Sequence, residues 1–329
     1  MRALDLLCTA VALAALAVVT TRAPAQTDGG TYEACRSGED AISASELPET
    51  VRLARCPVGE RVLTDNGVGT VLPAPGQSIH VDATTTEGPQ ELEVTRYRNG
   101  TVGLDHVGDE TEAIRGGREI GATGGPGECS DGAFTRRKHE VYVVLRGYYN
   151  PQTTPDELSR KGAVRAVKKG TSDITNTRNK CGLGDRIPSD IGMSYEGSIK
   201  ARAQIGTGGN CNGQDRKSVI SFGTLSENTL AVTCTESHKI KGKWHTKWSD
   251  IMLDKAHHNW TTRPNARSCG GKYDVESTVA HERGHTFGLD HVSESSHGNL
   301  TMSGLSNGPC QMSERSLGRG DVLGLGKKY

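Results

Sequence analysis

The eleven residues His281-Glu282-Arg283-Gly284-His285-Thr286-Phe287-Gly288-Leu289-Asp290-His291 constrain this 329-residue chain more than any other segment. On an α-helix, residues four apart share a face, so His281 and His285 present their imidazoles to one point. Glu282 follows within about 100° of both. Gly288 can take the left-handed backbone that ends a helix and turns the chain, which brings His291 back as a third member of the group. The segment therefore demands a helix, a glycine turn and a return, with Asp274 placed as the helix cap. A pattern of this length is expected by chance only on the order of 10⁻⁴ times in such a chain.

Three neutral imidazoles leave one tetrahedral position of a zinc ion open to water, which is the arrangement of a catalytic site; structural sites fill all four positions with protein. His281, His285 and His291 are accordingly the expected ligands of one Zn²⁺. Glu282 is the expected general base, taking a proton from the water and returning it to a leaving amine. Calcium is not indicated but stays open as a second ion, since its oxygen ligands leave little sequence trace outside EF-hand loops.

Composition explains how such a site would be housed. Only 34% of the residues are hydrophobic and 4% aromatic, against 42 glycines, so the core is small for the length and needs covalent staples. Residues 1–25 read as an export signal: Arg2, an apolar run over residues 6–19, then Ala23-Pro24-Ala25. The run is shorter than the roughly 20 apolar residues of a spanning helix. Removing Cys8 with that signal leaves eight cysteines, and four disulfides are the expectation for an exported chain. Neighbour pairing would join Cys35 to Cys56, Cys181 to Cys211 and Cys234 to Cys269, although eight cysteines allow about 105 connectivities. With 39 basic and 39 acidic residues the net charge is +0, so neither nucleic acid nor an anionic membrane is a partner suited to the chain. A secreted, extracellular location follows.

Residues 26–127 form a β-rich first region, a propeptide or accessory domain, with strands expected at 70–72, 78–81 and 91–97. His80 and His106 stand isolated there and read as surface histidines. The glycine-rich stretch 116–127 marks the boundary, and residues 128–329 form the catalytic domain. That domain opens on Val141-Tyr142-Val143-Val144-Leu145, a run suited to a buried strand. Thr154-Pro155-Asp156-Glu157 signals a helix start and Gly170 a helix end, with Leu158, Ala163, Ala166 and Val167 on the apolar face. Strands are expected at 219–222, 230–235 and 251–253. The fold class is α+β.

The zinc segment resembles that of the metzincin peptidases, whose defining sequence is HExxHxxGxxH followed by a methionine turn. Met302, in Asn299-Leu300-Thr301-Met302-Ser303, fits that turn, and Gly304 stands where some members of the clan carry a metal-binding tyrosine. Over residues 134–329 the chain is similar to exported bacterial matrixin-like peptidases, through Val219-Ile220-Ser221-Phe222-Gly223, Ser249-Asp250-Ile251, Trp260-Thr261 and the closing Asp321-Val322-Leu323-Gly324-Leu325. The resemblance implies a twisted mixed sheet with a zinc-binding active-site helix and a C-terminal helix. It implies a secreted zinc endopeptidase acting on protein or peptide substrates, with residues 230–233 as an edge strand along which an extended substrate lies. The sequence departs from the matrixins at Val292, where they carry serine, and lacks their PRCGxPD switch, of which Arg55-Cys56-Pro57 is a faint echo. The alternative is a catalytically inactive zinc-binding homologue acting as an extracellular binding protein. The pocket beside the zinc would be shaped by residues 303–307, and no residue is singled out for substrate contact.

Overall fold

A computed structural model describes residues 41–53, 56–107, 125–213, 215–264, 269–305 and 308–329, all within one compact unit, Thr31–Tyr329. The expected export signal, Cys35 and most of the glycine-rich boundary stretch lie outside these residues. No helix among the described residues is long and apolar enough to cross a membrane.

The architecture is α+β, dominated by one mixed sheet. Its main strands are β1 (Thr50–Arg52), β2 (Gln77–Thr85), β3 (Gln90–Arg96), β4 (Thr101–Val107), β5 (Val144–Tyr149), β6 (Gly192–Ser198), β7 (Ser218–Gly223), β8 (Thr229–Ile240) and β9 (Lys243–Asp254). The spatial order is β6-β5-β7-β9-β8-β2-β3-β4-β1. Strands β6, β5, β7 and β9 run parallel, whereas β8 is antiparallel to both β9 and β2, and the hairpin β2–β3 continues the antiparallel run. Helices α1 (Arg160–Thr175) and α2 (Val275–Thr286) cross each other over the sheet, and α3 (Arg319–Gly326) closes the chain. Tyr149, Phe222, Leu230, Ile251, Trp260 and Val279 fill the space between sheet and helices. Trp260 donates its indole N–H to the Asp254 carbonyl, so its large buried ring leaves no polar orphan.

Helix α1 starts and ends elsewhere than the turn residues indicate. Ser159 caps it, accepting from the Gly162 amide at 3.1 Å, while Pro151–Thr153 forms a separate 3₁₀ turn. Gly170 does not stop the helix, which runs on to Thr175. Its missing side chain is used instead at the α1–α2 crossing. A Cβ there would lie 2.5 Å from the Glu276 carbonyl oxygen and 2.9 Å from Val279 Cβ. Backbone atoms cannot yield at such distances, so Gly170→Val is expected to lower stability by about 1–3 kcal/mol through overpacking, read as a reduced Tm and urea midpoint.

Three other expectations are corrected. Val143 and Val144 are 41% and 47% exposed, because β5 begins only at Val144 and its odd-numbered members Leu145, Gly147 and Tyr149 face inward. His80 is buried, since β2 is an interior strand covered on both edges and both faces; the His106 side chain lies outside the described residues. Residues 230–233 are not an edge: β8 pairs with β9 on one side and with β2 on the other.

The disulfides join Cys129 to Cys181, Cys211 to Cys234 and Cys269 to Cys310, and Cys56 is also disulfide-bonded. The expected bridges Cys181–Cys211 and Cys234–Cys269 are thereby excluded: each described bridge does join consecutive cysteines, but Cys181 is taken by Cys129 and Cys234, on β8, by Cys211. Such bridges fit an oxidising compartment. The first described bridge ties the segment before β5 to the loop after α1; the third ties the entry to α2 to the loop after Met302.

Candidate metal centre

Asp274 nucleates α2 by accepting from the Ser277 amide at 3.0 Å, as its place in the sequence requires. The helix is buried on all sides, with Val275 and Val279 toward the sheet core. It ends at Thr286, and Gly288 has φ +77. A side chain at Gly288 would strike the His139 carbonyl oxygen at 2.2 Å, so glycine is needed there for both conformation and space.

That turn brings the three histidines together. His281 Nε2 lies 3.0 Å from His291 Nε2 and 3.3 Å from His285 Nε2. Nitrogens bound tetrahedrally to one zinc at about 2.0–2.1 Å would stand about 3.3–3.4 Å apart, so the spacing fits a shared ion. The opposite ring nitrogens are each held by an acceptor. His281 Nδ1 donates to the Thr301 carbonyl at 2.7 Å, His285 Nδ1 to the Leu289 carbonyl at 3.3 Å, and His291 Nδ1 to Glu91. A proton fixed on Nδ1 leaves the Nε2 lone pair facing the common point. Burial lowers the His281 and His291 imidazoles to about 3 and about 4 and holds His285 well below its ordinary value, with the neighbouring histidine charges adding to the effect for His281 and His285. All three are neutral at pH 7, the form that binds a metal.

Glu282 is fully buried beside them. Its Oε1 accepts from Thr84 Oγ1 at 2.7 Å and its Oε2 from Thr233 Oγ1 at 2.5 Å. Burial pushes its carboxyl up to about 7, opposed by these two hydrogen bonds and by the Arg283 cation.

Met302 lies under α2, buried, with its sulfur where a side chain on Gly284 would have to go. The loop carrying it is tied to the stretch after His291: Val292 N–H donates to the Met302 carbonyl at 2.9 Å and Gly304 N–H to the Val292 carbonyl at 3.0 Å. Asp321 of α3 anchors the loop further. Its carboxylate accepts the amides of Thr301 at 2.9 Å, Met302 at 3.3 Å and Gly318 at 2.8 Å. Of the residues expected to shape a pocket, Ser306 and Asn307 lie outside the described residues.

Several groups at this centre are not marked in the sequence. Asp82 Oδ1 stands 3.3 Å from His285 Nδ1. Glu91, Asp82 and Asp290 converge with His291 into a second cluster that could hold a metal. Arg137 already serves those carboxylates, pairing with Glu91 and reaching Asp290 at 3.0 Å, which neutralises the charge a second cation would need. The available clue was the strand Gln77–Thr85 itself, in which Ile79, Val81 and Ala83 alternate with His80, Asp82 and Thr84. Period-two alternation shows two unlike faces. It does not reveal that the polar face is buried against the histidine cluster and Glu282, 198 residues from Thr84.

No protein-family model matches the chain, and no curated protein matches it.

Proposed function

We propose that the chain is a zinc-dependent endopeptidase of the metzincin type with a matrixin-like layout, exported to an oxidising environment. The observation that carries this reading is the convergence of three Nε2 atoms at 3.0 and 3.3 Å, with the carboxylate of the residue following the first histidine beside them. The order of strand, helix, strands, metal-binding helix, methionine loop and closing helix supports it. So does the position of Met302 under the helix that bears two of the ligands.

His281, His285 and His291 would hold the ion, which when bound lowers the pKa of a water molecule and polarises the scissile carbonyl. Glu282, its proton affinity raised to about 7 by burial, can take a proton at neutral pH and pass it to the departing amine. Thr233 orients that carboxylate from β8, a strand paired on both sides in the described arrangement. The buried surroundings strengthen each of these interactions.

The inactive, zinc-binding alternative draws on one fact: Glu282 is fully buried and hydrogen-bonded to Thr84, so the described arrangement admits no substrate. Metal analysis and a quenched-fluorescent peptide library separate the two. The purified chain is expected to bind one zinc, to lose it to EDTA with a drop in Tm, and to cleave the library after limited digestion with a serine protease that is then inhibited. Zinc uptake with no cleavage in any of these states would sink the peptidase reading. His291→Ala is expected to weaken zinc binding at least about 100-fold, since a three-ligand site is reduced to two on one helix turn.

A further inference from the structure

If β8 is the strand along which a peptide substrate pairs, its place is already taken. Strand β2 runs antiparallel to β8 through nine register positions, from Thr85 opposite Thr229 to Gln77 opposite His238. Its side facing the metal centre presents His80, Asp82 and Thr84 at alternate positions, all of them buried. Thr84 donates to Glu282, the group that must be free to meet water. Asp82 stands against His285, and from β3 Glu91 accepts from His291. Pro89, in the turn between the two strands, abuts the loop after Met302, where a Cβ on Gly304 would lie 3.2 Å from the proline ring. Cys56 is disulfide-bonded, so its thiolate is not what covers the site.

We infer that the β2–β3 hairpin is a built-in occupant of the extended-peptide groove, held by strand pairing and by Thr84 on Glu282, and that the chain is latent until the hairpin leaves. This rests on the endopeptidase reading above. The occupant imitates a substrate in its backbone, by adding a strand to β8, but offers Glu282 a threonine hydroxyl where hydrolysis needs water. The hairpin's opposite face is apolar: Ile79, Val81 and Ala83 pack with Val232 and Met252, which supplies the free energy that keeps the groove closed. A competing peptide must displace that packing, so its apparent affinity falls by the fraction of molecules that are open.

The probe is a fluorescein-labelled tripeptide hydroxamate, which needs both an accessible metal and a free strand edge but no hydrolysis. Its anisotropy is measured on the zinc-loaded full chain and on the Ile79→Asp/Val81→Asp variant, whose new charges expel the hairpin from its apolar seat. The variant is expected to bind at least about 100-fold more tightly than the parent, as a groove open in 1% of molecules would require. Should the variant not fold, hydrogen exchange on the parent chain decides: saturating probe is expected to strip protection from amides 77–85 while amides 243–254 keep theirs. Equal affinities, or probe bound with amides 77–85 still protected, overturn the inference. A variant that binds the probe but cleaves no peptide supports the occupied groove and counts against hydrolysis, whereas a chain that takes up no zinc overturns both.

Discussion

Glu282→Gln is expected to reduce peptide hydrolysis by about 10³-fold or more while zinc content stays at one per chain. The expectation follows from the separation of two jobs on one helical turn. In the proposed site metal binding is assigned to the Nε2 atoms of His281, His285 and His291, whose opposite nitrogens are held by Thr301, Leu289 and Glu91 and not by Glu282. In the proposed mechanism proton transfer is assigned to Glu282, and a positioned general base contributes roughly 10²–10⁴ in rate. Glutamine keeps the shape and can still bond to the hydroxyls of Thr84 and Thr233, so the protein should fold as before. Removing a fully buried carboxylate also relieves its desolvation, so Tm should stay level or rise. Library cleavage by the opened protein and metal analysis, run in parallel on parent and variant, give the two readouts. Unchanged cleavage by the variant would rule out Glu282 as the base.

Asp321→Ala is expected to be the most damaging substitution away from the histidines. The carboxylate is buried, and the same burial pushes its carboxyl up to about 6 against the pull of the amides that bond to it. Those amides, of Thr301, Met302 and Gly318, would be left without an acceptor inside the protein. Each unsatisfied buried N–H costs about 1–3 kcal/mol, so a loss of roughly 3–5 kcal/mol is expected, a large share of the stability of an ordinary domain. The effect should reach the metal. Thr301 supplies the carbonyl that fixes the His281 ring, and Met302 packs under α2 at Gly284, so loosening this loop frees a ligand. Zinc affinity should therefore fall about 10–100-fold, in addition to the drop in urea midpoint. Asp321→Asn keeps one acceptor oxygen and is expected to fall between parent and Ala variant. A Tm for Asp321→Ala within a degree of the parent would show that α3 does not support the methionine loop.

The contrast between Gly288 and Gly170 shows how sequence legibility depends on range. Gly288 is readable because its role is local: a positive φ just after a helix end, three residues before a histidine that must turn back. Gly170 looks like the same kind of signal and is not one, because its role is set by Glu276 and Val279, more than a hundred residues on. The same distinction separates the cysteines, whose even count is visible and whose partners are not.

What the sequence by itself determined is everything governed by the geometry of one helix and the turn that follows it. His281 and His285 share a face because the helix repeats every 3.6 residues, Glu282 sits beside them, Asp274 caps the helix, and Gly288 allows His291 to return. The strands too were readable in part, since period-two alternation identifies faces. Only the tertiary structure decided which strands are neighbours. It placed β2 against β8, turned residues 230–233 from an expected edge into the interior of a sheet, and brought Thr84, Asp82 and Glu91 onto the metal centre. The physical reason is that strand pairing is satisfied by backbone groups every residue carries. Partner choice across 150 residues therefore depends on the packing of whole faces and leaves no local mark in the sequence.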